Sequence, residues 1–563
     1  GPAFSWLPRV GPLAREAPAL LSLADSLTEA GVLFWDDLAP VIDRYQQGDS
    51  PQDLLPNALA ALSEDLDAKR ETILSAQDAV VDLDLSGFPE RFHGPLVKLG
   101  EVLPLVPSAL DAVEVVPELL GLEEPQTYLV LALNEDELRP AGGLISGVGE
   151  VRVSAGEVIS MTFRDGYAVD DYDQAYPYAP DPLQLFMGIE PWVFRDGMWS
   201  PDFPTAVRQT LPLYRPGYPI DVDGVVAVDQ MAVVQLIEAL APIYLPGVDD
   251  AITGATLLDY MHTAWAPDEG EKMTGEWWRQ RKSFMGDLAG ATLEHLKSGD
   301  VDWLRLGEAV LRVLEERHVQ VTFLDPSVGQ VLARQGWDGS VRAPEGDFLM
   351  VAEANVGYNK ASSKIDRSIT YEVDLRGQVP VGSTTLGYRH LSRKEKTCVP
   401  GSRYDPTYEE MMDRCYWTYV RLYTPLGASL RRASEHPIDE DLMLMDEAWP
   451  GEASVSEADD HTVFAQAMLL PTASSEEMVF TYELPPSVVV EKLDGTRLYR
   501  LLLQKQAGLR ALDVHISLRL PENAVLLSAT PELSEQTGGA WIYEDVTTTD
   551  VVISVHYDVL EED

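Results

Sequence analysis

The sequence predicts a multidomain α+β protein. It has an N-terminal helical bundle or stalk at residues 3–122, a central α/β domain with a mixed sheet at 123–344, and an all-β sandwich region behind it, divided into 345–434 and 435–563. Three observations lead there. Apolar residues up to Leu122 recur at helical spacing, strand-like and helical runs alternate from Glu123 to Pro344, and helical periodicity nearly vanishes after Gly346. The 563 residues suit three or four domains at roughly 100–200 residues each.

In the first part, Leu20, Leu23, Leu27, Ala30 and Phe34 form one stripe, and Leu55, Leu59, Leu62, Leu66 and Ile73 a second. A third, Leu103, Val106, Leu110 and Val113, carries Pro104 and Pro107, which should start or kink its helix. These stripes read as core, with partner binding as the functional version. In the middle part, Tyr128–Leu133, Gly149–Val153, Val158–Phe163 and Gly224–Val228 read as strands. Gln230–Leu240, Gly254–Ala264, Trp277–Lys297 and Asp302–Leu314 read as helices. The Tyr-, Pro- and Asp-rich stretch Asp165–Pro212 reads as a long binding or lid loop. Beyond Gly346, short aromatic or β-branched runs (Ser368–Leu375, Trp417–Tyr423, Met478–Leu484, Leu498–Leu503, Val551–Tyr557) indicate one or two sandwiches. The acid-rich Glu435–Asp460 reads as a linker or long loop.

A formal net charge of −50 argues against nucleic acid and anionic lipid as partners of the body of the protein. It suits a secreted or surface-exposed protein, or one living in salt. The two cysteines, Cys398 and Cys415, flank a short loop and are expected to pair in an oxidising compartment, the alternative being two free thiols. No stretch approaches the roughly 20 apolar residues of a membrane span. Gly1 and Pro2 look like a protease-cleavage scar, which leaves room for a signal or membrane anchor ahead of residue 3.

The strand Tyr128–Leu133 runs into Asn134, Glu135, Asp136, Glu137 and Arg139, then Gly142 and Gly143. Polar groups and glycine at the exit of a buried strand are how α/β proteins build ligand sites, although a solvated acidic turn looks the same. Further on come Arg164-Asp165 at a strand end, the Trp199-Ser200-Pro201-Asp202-Phe203-Pro204 loop, the Ile220–Asp229 strand-to-helix segment and Arg279–Lys282. This order resembles an uncharacterised bacterial group, the domain-of-unknown-function family 4012, from about Gln126 to Lys297. Asn355–Lys360 and Tyr419–Tyr423 look like that family's C-terminal part. The family in turn distantly resembles the LytR–CpsA–Psr surface phosphotransferases, which move glycopolymers from a polyprenyl-pyrophosphate lipid onto the cell wall. Ser160–Asp165 and Val222–Asp229 carry that second likeness.

The resemblance implies an LCP-like central domain in which Arg139, Arg164, Arg281 and Lys282 hold a pyrophosphate, because cationic forks match phosphate oxygens. It implies Arg164, Asp165 and Asp202 as catalytic groups, with Asp165 and Asp202 as ligands to a possible Mg²⁺. Asn134, Glu135, Gly142 and Gly143 would complete the ligand site. Two departures weaken transfer chemistry. The segment Leu258–Thr263 keeps Tyr260 and lacks the enzymes' paired arginines, and the Trp199–Pro204 loop replaces their lysine-bearing stretch.

Each group also has a plain structural reading. Arg164–Asp165 could close a strand end, Arg281 and Lys282 could be helix-face charges, Trp199–Pro204 could plug the core, and His262 could be an ordinary helix residue. Two functions are therefore expected to compete. One is a membrane-anchored cell-surface protein handling envelope glycopolymers through a polyprenyl-linked ligand. The other is a non-catalytic extracellular scaffold, adhesion or assembly protein, binding partners through its helical and β domains.

Overall fold

The computed structural model describes residues 11–48, 51–81, 99, 103, 105–266, 282–299, 301–343, 345–401, 407–536 and 538–560. The chain forms two compact units. The first comprises Gly1–Tyr128, Val151–Met161 and Phe323–Gln335; the second comprises Leu129–Glu150, Thr162–Thr322 and Gly336–Asp563.

Helices Gly11–Gln46, Pro51–Ser63, Leu66–Val81 and Leu105–Leu119 build the first unit, together with Pro326–Gln335. The expected stripes supply its core: Leu23, Ala30, Ile73 and Leu103 are buried, and Leu27, Phe34 and Val106 pack against them. Lys69 is fully buried here. Its ammonium lies 2.5 Å from Asp37 and donates to the carbonyls of Ala61 and Leu62 at 3.3 Å and to that of Glu64. It thereby satisfies carbonyls that the end of the helix Pro51–Ser63 leaves without intrahelical donors.

The central sheet has the order β3-β2-β1-β4-β5, from β1 (Gln126–Asn134), β2 (Leu144–Ser154), β3 (Glu157–Asp165), β4 (Gly224–Val228) and β5 (Val319–Phe323). The β2–β3 link is only Ala155-Gly156, both at positive φ (50° and 80°), the conformation that a tight antiparallel hairpin requires. Within the second unit, Leu129, Leu131, Leu133, Val225 and Ala227 join Phe203, Ala206 and Tyr214 in one core.

The expected loop Asp165–Pro212 is not structureless. It holds the helices Gly166–Val169, Asp181–Met187 and most of Phe203–Tyr214, and Leu183, Phe186, Phe194 and Phe203 from it are buried. Prolines that read as loop signals start these helices instead, Pro182 and Pro204 standing in their first turns. The helix expected at Trp277–Lys297 is seen as Ser283–Lys297; residues 277–281 lie outside the described residues.

The C-terminal region is all β, as two sheets. One is β10-β13-β8-β7-β16-β19-β18, with β10 at Ser429–Ala433, β13 at Ser475–Glu483, β18 at Ser534–Gln536 and β19 at Ala540–Thr547; the other is β11-β12-β9-β6-β15-β20-β17, with β11 at Ser454–Ala458, β17 at Ala524–Thr530 and β14 (Val489–Glu491) beside β15. The strands that matter below are β6 (Asp347–Asn355), β7 (Ile365–Asp374), β8 (Val381–His390), β9 (Tyr416–Pro425), β12 (His461–Leu470), β15 (Arg497–Gln504), β16 (Leu512–Arg519) and β20 (Val551–Val559). A boundary at 434/435 does not separate these sheets. β6 lies between β9 and β15, β7 between β8 and β16, and β12 pairs with β9 along its whole length. One core, including Leu349, Leu422, Phe464, Phe480, Leu501 and Val555, draws on strands from both sides of that position. Nor is Glu435–Asp460 a linker: Ile438 bridges Trp449, Met443 is buried, and Ser454–Ala458 is a strand. Cys398 and Cys415 form a disulfide.

Candidate ligand-binding pocket at the strand ends

The exit of β1 is built as an interlocked turn. Asn134 ends the strand, and its side-chain oxygen accepts from the Asp136 N–H at 3.0 Å, capping the short 3₁₀ turn Glu135–Glu137. Gln230, first residue of the helix Gln230–Leu240, clamps that turn: its amide donates to Asn134 Oδ1, Glu135 Oε2 and Asp136 Oδ2 at 3.2, 3.2 and 3.1 Å. The Tyr408 hydroxyl donates to Asp136 Oδ2 at 2.6 Å. Burial first, and the charges of Asp229 and Asp136 second, push the Glu135 carboxyl well above its ordinary range. Asp229 caps the same helix through the Ala232 N–H (2.8 Å) and meets His318 Nδ1 at 2.6 Å.

Beside this turn, in the second unit, lies a cavity of about 190 Å³. Its walls are aromatic and sulfur-bearing, with Tyr167, Trp265, Phe284, Tyr358 and Tyr408 joined by Met261, Met285 and Met411. Its polar groups are Asn134, Glu137, Gln230, His262, Lys282 and Lys360, with Ser146 between them. The position, outside the ends of β1 and β4, is where open α/β sheets place ligands.

Two buried lysines face the cavity. Lys282 is 6% exposed and donates to the Ser146 carbonyl at 2.6 Å, with Asp165 Oδ1 at 3.3 Å and the Tyr167 ring centre at 5.4 Å. Lys360 is 3% exposed, pairs with Glu137, and lies 4.9 Å from the Tyr408 ring centre and 5.4 Å from that of Trp265. Burial would raise the Glu137 carboxyl, but the charge and hydrogen bond of Lys360, with Arg139 and Lys282 behind it, hold it below its ordinary value. His262 stacks on Tyr408 (3.9 Å, 13°), with Nε2 3.8 Å from Asp136 Oδ2. Burial lowers its pKa against the pull of Asp136.

The candidates from the sequence divide sharply. Asn134 and Lys282 line the cavity; Glu135 accepts from the lining Gln230, and Asp165 pairs with Lys282. Arg139 does not reach it. It is 2% exposed, paired to Asp196 at 2.8 Å, and donates to the Asn355 carbonyl at 2.7 Å. Arg164 pairs with Glu150 at 3.0 Å and lies over Tyr218 at 4.4 Å. Asp202 caps the helix Phe203–Tyr214 through Thr205 N–H (2.9 Å), and its other oxygen accepts from Val341 N–H (3.1 Å). Gly142 has φ +115°, and a side chain on Gly143 would stand 2.6 Å from the Asn134 carbonyl, so both glycines shape the turn rather than touch a ligand. Arg281 lies outside the described residues.

A magnesium ion does not fit the pair proposed for it. Both Asp202 oxygens serve backbone N–H groups and Asp165 Oδ1 serves the Tyr167 N–H and Lys282. Among the described residues no group of three or more His, Cys, Asp or Glu is arranged for a metal ion. Sequence reasoning missed Lys360, Tyr408, Trp265 and Tyr358 as lining groups. Only Lys360 and Tyr358 carried a signal, standing in the Asn355–Lys360 segment.

Residues 123–265 match the family described as "Protein of unknown function (DUF4012)". No curated protein matches the chain. Among solved structures, the Lin1025 protein from Listeria innocua is similar at 12% identity and a TM-score of 0.22, over 40% of this chain and 85% of that one. An M1 zinc metallopeptidase from Deinococcus radiodurans is similar at 9% identity and a TM-score of 0.18, over 35% of this chain and 42% of that one.

Proposed function

We propose that this protein is a binding component of the cell envelope whose pocket takes an anionic amphiphile. In this reading the ligand is the phosphate head and first isoprene units of a polyprenyl-linked glycan, held without transfer chemistry. The observation that carries the reading is the pairing of two buried ammonium groups, Lys282 and Lys360, with aromatic and methionine walls in one cavity. Apolar rings suit an isoprenoid, and ammonium groups in a low-dielectric setting bind phosphate more strongly than they would in water. Glu137 and Asp165 keep those charges paired until a ligand arrives.

Transfer is the weaker reading because the groups that would stabilise a pyrophosphate transition state are engaged elsewhere: Arg139 with Asp196, Arg164 with Glu150, Asp202 as a helix cap. The Cys398–Cys415 disulfide supports an extracytoplasmic setting, where such bonds persist. An anchor ahead of the described chain and protein partners on the helical and β regions belong to the same proposal.

The test is calorimetric titration with farnesyl phosphate, farnesol and inorganic phosphate. Farnesyl phosphate should bind at least about tenfold more tightly than either part alone, and Lys360→Met together with Lys282→Met should abolish the difference. Equal binding of farnesol and farnesyl phosphate would remove the anion from the reading. No binding of any of the three would end it.

A further inference from the structure

A second concavity, in the same unit and sharing no residue with the pocket above, is a groove of about 620 Å³ lined by the helix Asp181–Met187, the Met445–Trp449 segment and Tyr419 of β9. Its aromatic walls are Phe186, Tyr419 and Trp449. Phe186 lies 5.5 Å from Trp449 and 6.4 Å from Tyr419 between ring centres, both pairs tilted. Among the described residues, its charged lining groups are Asp181 and Glu447, both carboxylates, with no Lys, Arg or His. Pro182, Leu185 and the half-exposed Met445 add an apolar rim.

We propose that this groove binds a peptide segment through a lysine or arginine side chain. Aromatic rings attract a cation through their π electrons, and two carboxylates at the same groove complete the charge match. The apolar rim suits the aliphatic stem of such a side chain, which buries its methylenes while its head stays polar. A chain carrying a net charge of −50 also concentrates cations near its surface, which speeds encounter with a basic segment.

The experiment is titration of the full chain with the pentapeptide Gly-Gly-Lys-Gly-Gly and its arginine, norleucine and glutamate counterparts, alongside chitotriose. The lysine and arginine peptides should bind weakly and in a salt-sensitive way, and about tenfold more tightly than the norleucine peptide. The exposed double variant Asp181→Asn, Glu447→Gln should lower that affinity at least about fivefold, and Trp449→Phe should lower it less. Neither substitution touches the lysine pocket, so farnesyl phosphate binding should be unchanged. Equal binding of the norleucine peptide would overturn the cationic assignment in favour of a plain apolar groove. Binding of chitotriose alone, or of none of the ligands, would overturn the proposal outright.

Discussion

Arg139 and Lys360 are both buried cations in one unit, both joined to the turn that follows β1, and they do opposite things. Arg139 is packed into a filled joint. Its guanidinium meets Asp196 and the Asn355 carbonyl, while the neighbouring Leu138 carbonyl accepts the Asn355 N–H at 2.8 Å. Lys360 is held by one carboxylate and two rings beside an open volume. Burial and charge are alike in the two places. What differs is whether space remains for another molecule, and that decides which cation can bind and which only holds the α/β layer to the β region.

The sharpest way to break this contrast is Arg139→Met. It removes the 2.8 Å partner of the buried Asp196, leaving only Arg195 at 3.7 Å, and should cost about 3 kcal/mol of unfolding free energy in urea titrations. A loss below about 1 kcal/mol would show that the joint does not depend on that pair.

Next is Asp347, enclosed in the sandwich and accepting from the hydroxyls of Tyr371 (2.7 Å) and Tyr499 (2.6 Å). Burial pushes its pKa up to about 6 against those hydrogen bonds. A carboxyl raised from roughly 3.9 in the unfolded chain favours the fold below that value, and the advantage is lost as pH rises through the folded value. Wild-type stability should therefore fall by about 2 kcal/mol between pH 4 and pH 7 relative to Asp347→Asn, measured by denaturant midpoints. Parallel curves for the two proteins would refute this.

Gly143→Ala should come third, costing about 1–3 kcal/mol, because the added methyl must displace the backbone at Asn134. Lys360→Met should cost less stability than Arg139→Met while reducing farnesyl phosphate affinity about tenfold, which separates the two roles by a pair of readouts. Arg164→Ala should be the smallest. Its ion pair with Glu150 is partly exposed, so less than about 1 kcal/mol and no change in ligand affinity are expected.

The sequence showed the layers clearly because their signals are periodic. The helix Gln230–Leu240 and the strand Gly224–Val228 coincide with the runs expected from spacing alone. The helices Asp181–Met187 and Phe203–Tyr214 were hidden by proline, which marks both a loop and a first helical turn. β5 was hidden by Gln320 and Thr322, buried polar residues that interrupt its apolar pattern; Gln320 is accommodated because its amide donates to the Ala141 carbonyl at 3.0 Å.

The site was half legible. The Asn134–Gly143 segment does stand at the end of a buried strand, and Asn134 faces the cavity. Its arginine is a joint because the Asn355–Lys360 segment, more than two hundred positions away, folds onto it. No local pattern reports that meeting. Tyr408 and Trp265 were invisible for the same reason.

The pairing of β6 with β15, in register from Asp347↔Leu501 to Met350↔Gln504, sets a condition on how the chain matures. A strand flanked on one side by β9 and on the other by a segment some 150 residues further along must wait for that distant neighbour before its hydrogen bonds are complete. High contact order of this kind slows acquisition of the native state. Synthesis halted near residue 435 would leave β6 and β7 each with an unmatched edge, a template for sticking to other copies, so the C-terminal half should succeed or fail as a whole.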